Sequence, residues 1–200
     1  MRAIGADAEL ASLVHYHLVG SIPGITRENL TALAVEHGVT LRIHGRVSDE
    51  ELAAAIDSSD VICCVRLPSI EAASASAIEA MLSAKPTIVA DTGFYSELPD
   101  DVVIKIDPDE PESAIAAALK ALSEDPAGAK ALGDRARNFA RKTFTGARYA
   151  KALLALAEES EACRGQREIA RAFGAAYASW GIRDSSPLID DVAKLIDYFD

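Results

Sequence analysis

The chain has 200 residues, half of them hydrophobic, and a formal net charge of −11 at pH 7. That length and composition support a buried core in one domain or two. An acidic surface repels a phosphate backbone, which excludes broad nucleic-acid binding but leaves room for a small anion held by local amides and a few cations. The three cysteines, Cys63, Cys64 and Cys163, form no CxxC pair and no Cys/His metal spacing. An odd count without a disulfide framework suits a reducing cytoplasm. The N-terminal residues lack the apolar stretch of a signal peptide, and no run approaches the roughly 18 apolar residues of a spanning helix. A soluble cytoplasmic protein is expected, with peripheral contact to the inner membrane face as a further option.

The predicted elements alternate. HYHLVG (15–20) reads as a strand, and TRENLTALAVEHG (26–38) as a helix capped by Thr26 and stopped by Gly38. VTLRIHG (39–45) is a second strand. SDEELAAAIDSSD (48–60) opens with a capping box, in which Ser48 and Glu51 each satisfy the other's backbone N–H. VICCVRL (61–67) reads as a strand buried on both faces, with Cys63 and Cys64 as small core residues. A helix comes after Ser74, then the strands PTIVAD (86–91) and DDVVIKID (100–107). Strands and helices in this rhythm predict parallel βαβ units: an α/β, Rossmann-like three-layer sheet with helices on both faces.

From Pro111 the pattern is helical. PESAIAAALKALSED, AGAKALGDRARNFARKTF and GARYAKALLALAEESEA carry apolar residues at helical spacing. The basic run DRARNFARK is expected to be a solvated helix face. The chain pauses around 163–165, and the tail reads as two more helices split by GIRDSSP. Phe173, Tyr177 and Trp180 share a helical face and are expected to act as packing anchors. The domain expectation is an α/β body over 1–162 and then a helical C-terminal extension over 163–200.

The chemistry concentrates in SIEAASASAIEAMLSAKPTIVADTGFYSELP (69–99). Glu71 and Glu79 stand with seven residues between them, around a turn of Ala and Ser. In open α/β sheets ligands bind at the carboxyl ends of the strands, and this segment leaves the third strand at that end. Ser74 or Ser76 can cap the helix, whose free N–H groups favour an anion. Small side chains at Ala72, Ala73 and Ala75 let a ligand approach those amides. Glu79, about one turn in, can accept two hydrogen bonds from a vicinal diol, and Glu71 can serve hydroxyls nearer the loop. Two polyol groups with a phosphate between them describe a nucleotide sugar. By spacing alone a helix-terminal carboxylate is the commoner role for such residues.

The segment resembles the E-x7-E region of retaining glycosyltransferases of the GT-B fold, most closely family 4. HGRVSDEELAAAIDSSDVICC resembles the family's sequence on the N-terminal side of that region. DDVVIKIDPDEPESAIAAALKALSEDP and ALGDRARNFARKTFTGARYAKALLAL resemble the family's sequence on its C-terminal side. The resemblance covers residues 15–160 and implies the donor-binding, C-terminal half of a hexosyltransferase-type enzyme. In it Glu79 holds the donor ribose, Glu71 contacts the sugar near the reacting carbon as the catalytic glutamate, and Ala72, Ala73, Ser74, Ala75 and Ser76 contact sugar and diphosphate. Gly45, Arg46 and Val47 lie near the base, and Asp91, Thr92 and Gly93 line the same crevice. No cofactor or metal is implied. The partners implied are a nucleotide-sugar donor and an acceptor glycan or glycolipid reached through an N-terminal half, in polysaccharide or glycoconjugate synthesis, with no nucleic acid.

Three departures stand out. The loop between the glutamates is Ala/Ser-rich where the family has glycines, which makes positive φ costly there. The Gly-Arg…Lys-Gly segment that neutralises the diphosphate is not found, and neither Arg46 nor Arg66 matches its position. The acceptor-binding half is not found either. These departures keep a second expectation alive: a non-catalytic Rossmann-like interaction or regulatory module acting through the C-terminal helices. His15 and His17 alternate on one strand, but without Cys, Asp or Glu at ligand spacing they make no metal site. His44, at a strand end, is expected to be structural.

Overall fold

A computed structural model describes residues 1–67, 72–182 and 187. Two short helices, α1 (Arg2–Gly5) and α2 (Ala8–Leu13), precede β1 (His15–Val19), α3 (Gly24–Glu36), β2 (Thr40–Gly45), α4 (Asp49–Ser58) and β3 (Ile62–Cys64). Then come α5 (Ala75–Leu82), β4 (Thr87–Ala90), a 3-10 turn (Gly93–Glu97), β5 (Ile104–Ile106), α6 (Pro111–Glu124), α7 (Pro126–Thr143), α8 (Gly146–Ala162) and α9 (Arg164–Ser179). The chain divides into two compact units, Met1–Phe144 and Thr145–Asp200. The first carries every described strand, and α8 and α9 belong to the second.

All strand pairs are parallel, but the ladders fall into two sheets, β1–β2 and β3–β4–β5. Tyr16 of β1 nevertheless lies close to Cys63 of β3. Burial raises the Tyr16 hydroxyl pKa, and the neighbouring thiol raises it further. In the three-stranded sheet the side chains alternate as a pleat requires. Val89 and Cys64 point into a core built with Ala77 and Met81 of α5 and Ala136 and Ala140 of α7. Ile88, Ala90 and Ile106 point the other way, onto Ala118 of α6. Helices thus cover both faces of this sheet, as the α/β Rossmann-like expectation requires, and further helices extend the chain at its C-terminal end. A third cluster, Ile4, Leu10 and Val39, has Tyr16 of β1 and Leu119 of α6 packed against it.

Several local expectations hold. Ser48 Oγ accepts from Glu51 N–H at 3.2 Å while Glu51 Oε2 accepts from Ser48 N–H at 2.8 Å, the reciprocal box that starts α4. These two bonds hold the Glu51 carboxyl below its ordinary value of 4.5. The folded pKa is the lower one, so the box contributes fully above about pH 4.5 and fades as pH falls through the folded value. Ser48→Ala is expected to cost about 1 kcal/mol, seen as a lower midpoint in urea unfolding at pH 7. The basic run of α7 lies on the surface, with Arg137 and Lys130 both paired to Asp134. Phe173, Tyr177 and Trp180 do share a face, in a chain of ring contacts with centroids 6.2 and 6.0 Å apart, but Phe173 and Trp180 are exposed at 43% and 71%, so their expected role as packing anchors is not shown.

Other expectations are corrected. The third strand pairs over three residues only, matched to Thr87, Ile88 and Val89. Cys63 is exposed while Cys64 is buried, because neighbours on a strand face opposite sides. Thr26 is not a cap: α3 starts at Gly24, and the Pro23 carbonyl accepts the first helical bond, from Arg27 N–H at 3.0 Å. The second helix expected in the tail lies outside the described residues.

Candidate functional site

The site residues on α5 are set by its first turn. Ser74 is the N-cap, 2% exposed, and its Oγ accepts from Ala77 N–H at 3.4 Å. Ala75 and Ser76 occupy the first two helical positions, whose N–H groups have no acceptor within a helix. Both are exposed, as are Ala72 and Ala73 just before the cap. Glu79 is exposed on the same helix, and its carboxylate makes no hydrogen bond or ion pair with a described residue. Its charge acts on the buried Cys64 thiol at the end of β3. Burial pushes that thiol to about 11, Cys63 raises it further, Arg66 opposes and Glu79 adds. A cation and a carboxylate therefore flank the carboxyl end of β3. Glu71 lies outside the described residues, together with 68–70.

The loop after β4 meets this cap directly. Asp91 continues the ladder by donating its N–H to Ile106 O at 2.9 Å. Asp91 and Gly93 are exposed, and Gly93 takes φ +55 to open the 3-10 turn, a conformation that favours glycine. Two residues on, Tyr95 is 1% exposed and donates its hydroxyl to Ser74 Oγ at 3.0 Å. One buried bond thus ties the 91–97 turn to the start of α5. Tyr95→Phe is expected to remove about 1 kcal/mol of stability and lower the thermal midpoint by roughly 2–4 °C. Differential scanning calorimetry of the two proteins checks this.

Gly45, Arg46 and Val47 sit at the carboxyl end of β2, in the other sheet. Gly45 has φ +74, its carbonyl accepts Gly20 N–H at 2.9 Å, and Arg46 is exposed. The structure therefore joins residues 72–76 with 91–93 at one sheet edge and sets residues 45–47 on a separate ladder.

Sequence reasoning misses two contributors. Tyr95 escapes it because its partner lies 21 residues away. Arg27 reads as an ordinary first-turn residue behind a Thr26 cap. With the helix starting at Gly24, its guanidinium instead stands beside Gly45, 3.6 Å from where a Cβ on that glycine would be. The signal available is Pro23 before Gly24, a helix start that displaces Thr26 inward.

No metal-binding group of three or more His, Cys, Asp or Glu occurs among the described residues. No helix among them is long and apolar enough to cross a membrane.

Comparison with known proteins bears on the fold and the family. No curated relative matches the chain. Among solved structures, HepE from Anabaena in complex with UDP superposes with a TM-score of 0.64 at 18% identity, over 76% of this chain and 43% of that one. Sucrose-phosphate synthase from Thermosynechococcus elongatus does so with 0.63 at 25% identity, over 81% and 42%. The C-terminal domain of LpcC, a glycosyl transferase group 1 family protein from Francisella tularensis, gives 0.61 at 16%, over 72% and 77%. The chain spans less than half the length of the first two. Its sequence matches the model of glycosyl transferases group 1 over residues 6–139, more than half of its length, and the chain belongs to that family.

Proposed function

We propose that this chain is the donor-binding half of a retaining, family 4-type glycosyltransferase. It binds a nucleoside-diphosphate sugar, and together with an acceptor-binding half it transfers the sugar, a hexose, to an acceptor hydroxyl in polysaccharide or glycoconjugate synthesis. The observation that carries the reading is Glu79: an exposed, uncommitted carboxylate one turn beyond two free helix-terminal amides, at the carboxyl edge of a parallel sheet. In this reading Glu79 accepts the two ribose hydroxyls and Glu71 contacts the donor sugar. The N–H groups of Ala75 and Ser76 take the diphosphate, with Ala72, Ala73 and Ser74 lining the approach. Gly45, Arg46 and Val47 lie by the base, and Asp91, Thr92 and Gly93 line the wall held by Tyr95.

The chemistry is electrostatic. Charge develops on the departing diphosphate, and amides already oriented toward it lower the barrier without reorganising. The helix N-terminus adds positive potential. Arg66 beside Cys64 supplies a cation at the end of β3 and Arg27 one beside Gly45 at the end of β2, a role the family gives to a segment not found here. No metal is needed for this transfer. An acceptor glycolipid would bring the protein to the inner membrane face.

A second reading, a non-catalytic module that binds a partner through its C-terminal helices, is favoured by the exposure of Tyr149, Leu154, Leu156 and Trp180. Thermal unfolding with millimolar UDP, GDP and ADP separates the two. A nucleotide at about 100 times its dissociation constant adds roughly 2.7 kcal/mol, or about 5–10 °C for a chain of this size. A shift with one nucleotide supports the donor reading, and no shift with any supports the module.

A further inference from the structure

Parallel β1 and β2 place alternate residues on an open face: His15 and His17 from β1, and Thr40, Arg42 and His44 from β2, all exposed. On that face His17 Nδ1 and His44 Nε2 come to 3.2 Å, with ring centroids 5.1 Å apart and planes inclined by 36°. The residues are 27 positions apart, so no local spacing announces the pair. The strands pair regularly from His15 opposite Thr40 to Leu18 opposite Ile43; the register then shifts, with Val19 opposite Gly45 and His44 at the irregularity, and Gly20 N–H bonds Gly45 O at 2.9 Å.

The geometry points to a binding site for a divalent transition cation between His17 and His44. An imidazole nitrogen binds zinc at about 2.0–2.1 Å. Two such bonds at the tetrahedral angle place their nitrogens about 3.3 Å apart, close to the separation already present. Little strand movement is needed for both rings to reach one cation. Arg42 on the same face opposes every dication alike, and the donors are two imidazole nitrogens. That set selects Zn²⁺, Ni²⁺ or Cu²⁺, which bond strongly to imidazole, over Mg²⁺ and Ca²⁺, which need oxygen ligands. Water completes the coordination. The site lies one residue before Gly45 and is not needed for the sugar transfer proposed above, so it stands or falls independently of that reading.

The test is long-range ¹H–¹⁵N NMR of the four imidazoles in the full chain during titration with Zn²⁺ alone. The resonances of His17 and His44 are expected to move together on one saturating curve, with His15 and His37 as internal references and Mg²⁺ without effect. In His44→Ala the response of His17 should require roughly tenfold more Zn²⁺ or above, because the second ligand then no longer closes an intramolecular step. Circular dichroism confirms that the variant is folded, and His17→Ala with His44 observed gives the reciprocal test. Independent curves for the two rings, no response, or an unchanged His17 response in His44→Ala would each overturn the site and leave a hydrogen-bonded histidine pair only.

Discussion

Replacing Gly133 by alanine is expected to destabilise the α/β unit by about 2–3 kcal/mol, a fall of roughly 4–12 °C in thermal midpoint. Gly133 is buried in α7 where that helix crosses the end of α5. A Cβ there would stand 2.0 Å from the Ala84 carbonyl oxygen and 2.7 Å from its carbon. The obstacle is backbone and cannot swing away. Ala84 is already held at φ +58, and the turn is pinned by Ala84 N–H to Met81 O at 3.0 Å and Lys85 N–H to Ala80 O at 3.2 Å. Helix α7 would have to lift, loosening Ala136 and Ala140 from Ala77 and Met81 in the main core. Alanine's better helix propensity returns at most about 1 kcal/mol. Gly24→Ala is the control. It also lies in a helix of the same unit but has nothing within 4 Å of a built Cβ, and its midpoint should stay within about 2 °C.

Glu79→Ala is expected to weaken nucleotide binding by roughly 30- to 150-fold while leaving the unliganded fold intact. A carboxylate that accepts two hydroxyls makes charge-assisted bonds, and their loss is worth about 2–3 kcal/mol, which converts to that ratio at 1.4 kcal/mol per tenfold. The fold is insulated because Glu79 is exposed and uncommitted among the described residues, and surface substitutions of that kind stay within about 0.5 kcal/mol. At a nucleotide concentration that stabilises the wild type by several degrees, the variant should show almost no shift. Glu79→Gln keeps one acceptor oxygen and should fall between them. A shift of equal size in all three proteins would remove Glu79 from the site.

Much of this is legible in the sequence because its causes are local. The Ser48–Glu51 box, the Ser74 cap and the wholly buried TIVA strand each arise from residues within four positions of one another. The features that escape depend on what lies across the fold. The VICCV stretch (61–65) is apolar throughout, yet its ladder ends where pairing with β4 ends, at Cys64 opposite Val89. Apolar character gives no hint of that limit, nor of the exposure of Cys63. The separation of β1–β2 from β3–β4–β5 is a matter of strand geometry that periodicity does not carry. Tyr95 reaching Ser74 and His17 reaching His44 are tertiary meetings. At the candidate site itself, the amides, Glu79 and the 91–93 turn are readable from the segment 69–99, whereas Arg27 beside Gly45 depends on a helix start three residues earlier than a Thr26 cap suggests.

In the proposed function, Glu79 makes this sheet edge a nucleotide-sugar site. Isothermal titration of UDP, GDP and ADP into the wild-type chain and into Glu79→Ala tests it most directly. One of the three is expected to bind the wild type one-to-one and the variant at least roughly 30-fold more weakly. Equal affinity for both proteins, or no binding of any nucleotide at millimolar concentration, would contradict it.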